Sequence, residues 1–484
     1  PEPLRRQVPL DLFPSNILSG ANVQKTFSPN YPGEFGGGVI DLRTLRMPNE
    51  PFLTFKTATG WNTEASLRNG FFYQGSDADW TGFDDGLRDV PGPLASAIGR
   101  GRAITRDNFT DTELERIGES LVNSPVNVVQ RGELDGDLEL EATGGTSLDV
   151  GKYNLGLVGV VGYDSTQRTR RATRTEVVGG SLETDFDTDT TTWDIVLNAF
   201  GSGTLGWGEN ELTLSGLLVR SSTKYAQVEE GVDFNQPGVI AANPVPNERR
   251  EATAWYERQI ANLQLAGENE FGGLELQWRT AAAQSTRDAP YERNIRYDLV
   301  NGLAVFGGGG GLGNRIRFSE LTDEVLSAGL DATYTLPISE QRDIELSAGF
   351  AYSNTTRVYE QFQFAWTGPF GPTGQDTLTA RVDFLLSPDN ISPLRFVLQE
   401  QTGLDDSYKG RLTNSAFYVS ADMELLPLVR ASLGVRYEDA SQTVRTTNRF
   451  GLAPTAAPVA LDNTYWLPAG TLTSSFRLKS STSR

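Results

Sequence analysis

A two-residue alternation that repeatedly doubles back on itself is the feature that most constrains this chain. Leu138 and Leu140 alternate with Glu139 and Glu141, and a short turn falls at Asp149-Val150-Gly151-Lys152. Tyr153, Leu155, Leu157, Gly159, Val161 and Tyr163 then alternate into a polar, Arg- and Thr-rich stretch. The unit returns with Trp193, Ile195, Leu197 and Ala199, a turn at Gly206 to Asn210, then Leu212, Leu214, Gly216 and Leu218. It returns again around Phe271-Gly272-Gly273, near Pro337 to Arg342 and near Pro427. Side chains of a strand point to opposite faces in turn, so each run predicts a strand with one apolar and one polar face. The turns are short at one end of these hairpins, whereas polar, Gly/Pro-rich stretches of about 231–249, 288–320, 361–408 and 441–464 join them at the other. That asymmetry predicts an all-β, transmembrane antiparallel β-barrel. A soluble β-sandwich or propeller also alternates, but its hairpin loops are short, about 2–5 residues, at both ends.

Composition narrows the function classes. A formal net charge of -20 argues against a nucleic-acid partner, which needs a basic face. The 484 residues include no cysteine and no histidine. Thiolate chemistry, disulfides, His-based triads and the commonest transition-metal ligand are therefore excluded. No apolar run reaches the roughly 18 residues of a membrane helix. Mean hydropathy is -0.35, which a barrel tolerates because its strands alternate and average to a polar composition.

Upstream of the hairpins lies VQKTFSPNYPGEFGGGVIDLRT, Val23 to Thr44. Pro29, Asn30, Pro32 and Gly33 make a turn cluster, Gly36, Gly37 and Gly38 open dihedrals closed to other residues, and Val39 to Arg43 begin a strand. This segment resembles the last part of the plug domain of TonB-dependent outer-membrane receptors. The matching residues are Val23, Lys25, Tyr31, Gly33, Phe35, Gly36, Gly37, Gly38, Val39, Ile40, Leu42, Arg43 and Thr44. Val8 to Ile17, VPLDLFPSNI, and Asn69 to Gly86, NGFFYQGSDADWTGFDDG, resemble one branch of that family.

The resemblance implies residues 1–47 as the C-terminal part of a plug and 48–484 as the N-terminal part of the barrel. The alternation gives about 13 strands, where the family has about 22. The closing strand, Tyr465 to Lys479, resembles a mid-barrel strand, so the chain reads as a fragment; the TonB box that the energising partner grips does not occur in it. As a plug signature, Lys25, Tyr31, Gly33, Phe35, Gly36, Gly37, Gly38, Asp41 and Arg43 are expected to serve structure and coupling, and Lys25, Glu34, Asp41 and Arg43 to make plug–barrel ion pairs.

Other candidate chemistry is weak. Gly307 to Gly311 lacks the Gly-Lys-Ser/Thr of a phosphate loop and reads as a loop tip. Asp135, Asp137, Glu139 and Glu141 would share one strand face, as calcium ligands or as a hydrated lumen wall, without EF-hand spacing. The adjacent acids Asp84-Asp85, Glu229-Glu230 and Asp405-Asp406 point apart in a strand, which argues against a hydrolase. Arg168, Arg170, Arg171 and Arg174 could hold lipopolysaccharide phosphates or form a solvated rim. Phe362, Phe364, Trp366 and Phe370 could contact a ligand or pack a loop on itself. Thr110 with Glu113 is a capping-box signal for a short surface helix.

By resemblance, the chain is expected to be a non-enzymatic transporter of the Gram-negative bacterial cell outer membrane. It would take up a siderophore, vitamin, glycan or peptide without a cofactor. Implied partners are outer-membrane lipid and lipopolysaccharide, the TonB-ExbB-ExbD energising complex and a surface lipoprotein or other outer-membrane partner. Two alternatives stay open: a same-fold barrel serving assembly of surface proteins, and a soluble β-rich surface or carbohydrate-binding protein.

Overall fold

The structure, a computed structural model, describes residues 18–33, 38–44, 46–63, 66–122, 124–236, 239, 244–307, 313–339, 342–368, 378–426, 429–452 and 457–474. The chain opens with β1 (Leu18–Gln24), β2 (Val39–Thr44), β3 (Phe52–Gly60) and β4 (Asn69–Phe72). Three helices follow: α1 (Gly92–Ile98), α2 (Asp111–Glu119) and α3 (Ser124–Asn127). Then come β5 (Gln130–Glu133), β6 (Asp137–Val150), β7 (Tyr153–Val178), β8 (Ser181–Trp207), β9 (Asn210–Asp233), β10 (Glu248–Phe271) and β11 (Leu274–Val300). The remainder is β12 (Leu303–Phe306), β13 (Arg315–Ser339), β14 (Arg342–Thr367), α4 (Val382–Leu385), β15 (Val397–Glu400), β16 (Ser407–Leu426), β17 (Val429–Thr447) and β18 (Val459–Ser474).

One antiparallel sheet of 14 strands dominates, in the order β18-β17-β16-β14-β13-β11-β10-β9-β8-β7-β6-β3, with β12 and β15 pairing off that path. This is the barrel-like, all-β architecture that the alternation predicts. Sequential neighbours pair because two-residue turns return the chain at once. Gly151, Gly208 and Gly272 sit in those turns at φ of 66°, 59° and 59°, a region L-residues avoid. The sheet's two outermost strands are β3 and β18, and they do not pair with each other among the described residues.

Register places the apolar residues of successive strands side by side. One row runs Leu148, Leu155, Leu205, Leu212, Gly267, Trp278, Leu330, Phe350, Phe417, Tyr437 and Trp466 across eleven strands. Cross-strand aromatic contacts reinforce it: Phe350 to Phe417 at 4.9 Å and Tyr437 to Trp466 at 5.0 Å between centroids. The lone glycine is explained by its neighbour, since a Cβ on Gly267 would lie 2.4 Å from the Trp278 indole. Along β7 the same face carries Tyr153, Leu157, Val161 and Tyr163, an apolar run bracketed by aromatics. Its length matches the 9–11 residues of a strand that crosses a bilayer.

The opposite face of the same rows is polar. Thr204 and Thr213 share a hydrogen bond of 3.0 Å, Arg279 pairs with Asp331 at 2.9 Å, and the Tyr418 hydroxyl donates to Asp331 at 2.8 Å. Each apolar run covers less than half of its strand, because β7, β8 and β11 have 26, 27 and 27 residues. The strands therefore continue far past the apolar rows on the side away from the short turns. Sequence reading placed loops at 288–320 and 361–408, and the structure corrects this: β11 runs to Val300, β13 starts at Arg315 and β14 runs to Thr367. A further tight turn, Gly179-Gly180, closes β7 on β8 at that far end.

The main hydrophobic core lies at this far end, against the apolar-row face. Leu94, Ile104, Phe109, Leu114, Ile117 and Val126 from residues 66–136 pack there on Tyr291, Ile316, Phe318, Phe364 and Trp366 of the sheet. Leu385, Ile391 and Leu398 close it from the β14–β16 connection. The capping box on α2 forms as expected, with Thr110 and Glu113 bonded reciprocally. Arg100, hydrogen-bonded to the Glu113 carboxylate, together with the capping contacts holds that carboxyl at about 2.

Candidate functional site

Two appendages occupy opposite faces of the sheet. The described residues of 18–48 lie on the polar face near the short turns, and the lobe formed by the described residues of 66–136 lies on the apolar-row face beyond the apolar rows.

The first appendage is the plug-like segment. β1 and β2 form an antiparallel hairpin with Val23 opposite Ile40 and Gln24 opposite Val39. The Gly33 N–H donates to Glu438 Oε1 at 2.9 Å, and a Cβ there would lie 2.5 Å from Leu467 Cδ1. Beside it the Pro29 carbonyl accepts from Arg436 at 3.3 Å, and Arg436 pairs with Glu438 at 2.6 Å in a buried dyad. Tyr31 closes a turn, its N–H donating to the Ser28 carbonyl at 3.0 Å, and Gly38 faces the Gln24 carbonyl. Lys25 is exposed just past β1.

Glu34, Phe35, Gly36 and Gly37 lie outside the described residues. Asp41 and Arg43 pair with each other at 3.3 Å, within β2. A further tie to the sheet is made by Arg46, which bridges Glu211 at 2.8 Å and Glu268 at 2.7 Å. Sequence reading missed Arg46, because no motif marks a basic residue between a strand and Met47-Pro48. All three of these side chains are partly exposed, so the bridge positions the segment and adds little to stability.

The second appendage is clasped by a buried charge cluster. Asp79, 1 % exposed, accepts from Arg88 at 2.8 Å and pairs with Lys224 of β9 at 2.7 Å. Arg88, fully buried, also holds Asp84, and its guanidinium lies 4.5 Å from the Trp255 ring and 5.5 Å from the Tyr73 ring. Tyr73 donates to the Ala254 carbonyl at 2.9 Å, and burial pushes its hydroxyl pKa up. Gly75 has a φ of 69°, and a Cβ there would meet Asp79, Lys224 and Arg88 within 2.7 Å. The sequence NGFFYQGSDADWTGFDDG is thus a docking device, with Asp79 and Asp84 turned onto basic residues and Gly75 making room for them.

The remaining candidates resolve into structure. Asp84 serves Arg88, and Asp85 accepts from Ser76 at 2.6 Å. Glu229 and Glu230 part to opposite faces, Glu229 toward Arg250 and Glu230 toward Arg249. Asp406 accepts from the Gly403 N–H at 2.7 Å. Glu139 pairs with Lys56 on the polar face at 2.5 Å. Among the described residues no group of acidic side chains is arranged to hold a metal ion. Arg171 pairs with Asp189 at 3.1 Å and Arg174 reaches Glu229 at 3.9 Å, while Arg168 and Arg170 are exposed on the polar face. Phe364 and Trp366 belong to the core, with Phe362 packed against it. Gly308 to Gly311 and Phe370 lie outside the described residues.

No protein-family model and no curated protein matches the chain. Among solved structures, it is similar to the siderophore receptor PiuA from Acinetobacter baumannii, with a TM-score of 0.43 and 11% identity over 94% of this chain and 51% of the receptor. It is also similar to the outer membrane protease OmpT from Escherichia coli, with a TM-score of 0.20 and 12% identity over 68% of this chain and 99% of the protease. The chain spans about half the length of the receptor it resembles.

Proposed function

We propose that this chain forms part of an outer-membrane β-barrel transporter of the TonB-dependent kind. The observation that carries the reading is the division of the sheet's faces. The registered apolar row suits lipid, and the polar face behind it holds a separate folded segment by ion pairs and hydrogen bonds. A sheet that only needed to be soluble would not leave Leu330, Leu346, Phe417 and Leu433 exposed at 45%, 45%, 55% and 61% along four adjacent strands. On this reading the segment of residues 18–48 is the movable plug piece. Its contacts through Arg46 and Glu438 are polar, the Arg46 bridge partly hydrated and Glu438 buried, and polar contacts can be exchanged for water when the TonB complex pulls. No step of bond chemistry is assigned to any residue.

The experiment is accumulation of ferric siderophore, cobalamin, oligosaccharide and peptide probes in cells producing the full-length protein, with and without a protonophore. The expected result is uptake of one probe class that stops when proton-motive force collapses. Uptake that continues unchanged without proton-motive force would contradict the energised mechanism. The second reading, a barrel that assembles with surface proteins, draws on the lobe, which adds a folded surface beside the sheet and away from the plug-like segment.

A further inference from the structure

We propose that the turn Asp79–Gly86 is a membrane anchor, with Trp80 and Phe83 seated at the boundary between lipid headgroups and acyl chains beside the sheet. The inference rests on the membrane reading above. The turn is fixed firmly from behind. The Gly82 carbonyl accepts from Arg220 at 2.8 Å and from Ser222 at 2.5 Å, and the Asp84 N–H donates to Glu257 at 2.8 Å. The Trp80 carbonyl accepts from the Tyr163 hydroxyl at 2.8 Å. Yet the two rings themselves stay open, Trp80 at 60% and Phe83 at 47% exposure, with the Arg220 guanidinium 4.0 Å from the Phe83 ring centre.

Position decides what those rings meet. Tyr163, Leu197 and Arg220 form one registered row on the lobe-bearing face, and Val161, Ala199 and Leu218 form the row beside it toward the short turns. The turn therefore stands at the upper edge of the apolar face, where a barrel carries its interfacial aromatics. Just beneath it the apolar face is hollowed into a groove of about 830 Å³. Gly201 and Gly216 line the groove, Leu218 and Leu263 flank them, and Gln284 and Glu324 mark its polar side. A Cβ on Gly201 would meet nothing within 4 Å, so crowding inside the chain does not require a glycine there. Glycine inside a strand often marks close approach from outside. An acyl chain of an outer-leaflet lipid fits the apolar side of this groove on β7 to β9, and Trp80 and Phe83 stand one row above that side, where its headgroup would lie. Because the turn is already rigid, seating the rings costs little further ordering.

The test is tryptophan quenching in the full-length protein reconstituted into vesicles of phosphatidylcholine brominated high on the acyl chain. Trp80→Phe isolates the signal of Trp80 by difference from wild type, and Trp278→Phe does the same for a residue in the apolar row. The expected result is that bromine removes about half or more of the Trp80 signal while aqueous acrylamide removes little. A Trp80 signal quenched by acrylamide and untouched by bromine, with the Trp278 signal still quenched by bromine, would overturn the anchor and leave the membrane reading intact. If the Trp278 signal also ignores bromine, the membrane reading falls and the anchor falls with it.

Discussion

Replacing Leu330 with arginine is expected to block stable insertion of the sheet. Leu330 lies well inside the apolar run that β13 presents on this face, Leu326 to Leu336, in register with Trp278 and Phe350. A lipid-facing arginine near the bilayer midplane costs about 2–4 kcal/mol, a large share of the 5–15 kcal/mol that holds a typical protein folded. Thr333→Arg, on the polar face of the same strand, is the matched control and should cost little, because its charge would remain hydrated. Urea titration of both variants reconstituted in vesicles, followed by heat-dependent gel mobility, checks this difference. Equal stability of the two variants would mean that the two faces of β13 meet the same solvent.

The second large effect concerns the lobe. Arg88→Ala should release residues 66–136 from the sheet without dissolving the sheet itself. Arg88 neutralises Asp79 and Asp84 in a site closed to water, and Lys224 alone would remain to face both acids. Removing one partner of a buried charge cluster costs about 3–5 kcal/mol, because the remaining charges stay desolvated and unpaired. Proteolysis should then cleave within 66–136 well before it cleaves β9 or β10. Arg88→Lys keeps the charge but loses the fork that reaches two carboxylates at once, so intermediate protection is expected. Protection equal to wild type in the alanine variant would show that the hydrophobic core alone holds the lobe.

Much of the sheet is legible from alternation because a sheet with one apolar and one polar face demands opposite chemistry on successive residues. Leu155, Leu157 and Val161 announce β7 for that reason, and glycine turns at 151, 208 and 272 mark where it and its neighbours reverse. Beyond the apolar rows that demand lapses. From Arg168 to Arg174 both faces of β7 meet water, so the residues stop alternating and read as loop although they are strand. The lobe hid for a different reason. Thr110 and Glu113 mark α2 locally, but Asp79 and Arg88 gain their meaning from Lys224 and Trp255, far away in sequence. The plug-like segment shows the same limit. Its glycines and β2 are visible as a pattern, whereas the bridge from Arg46 to Glu211 and Glu268 exists only once β9 and β10 are side by side.

The central claim, that one face of the sheet meets lipid and the other an aqueous interior, has a direct test because the chain contains no cysteine. Single cysteines placed in turn at Leu326, Ser327, Ala328, Gly329, Leu330, Asp331 and Ala332 would each be the only thiol in these 484 residues. Labelling in vesicles with a membrane-impermeant maleimide should alternate, with Ser327, Gly329 and Asp331 positions reached and Leu326, Ala328, Leu330 and Ala332 positions shielded. A lipid-soluble maleimide should give the complementary pattern. Uniform labelling of all seven positions by the impermeant reagent would place both faces in water and contradict the account.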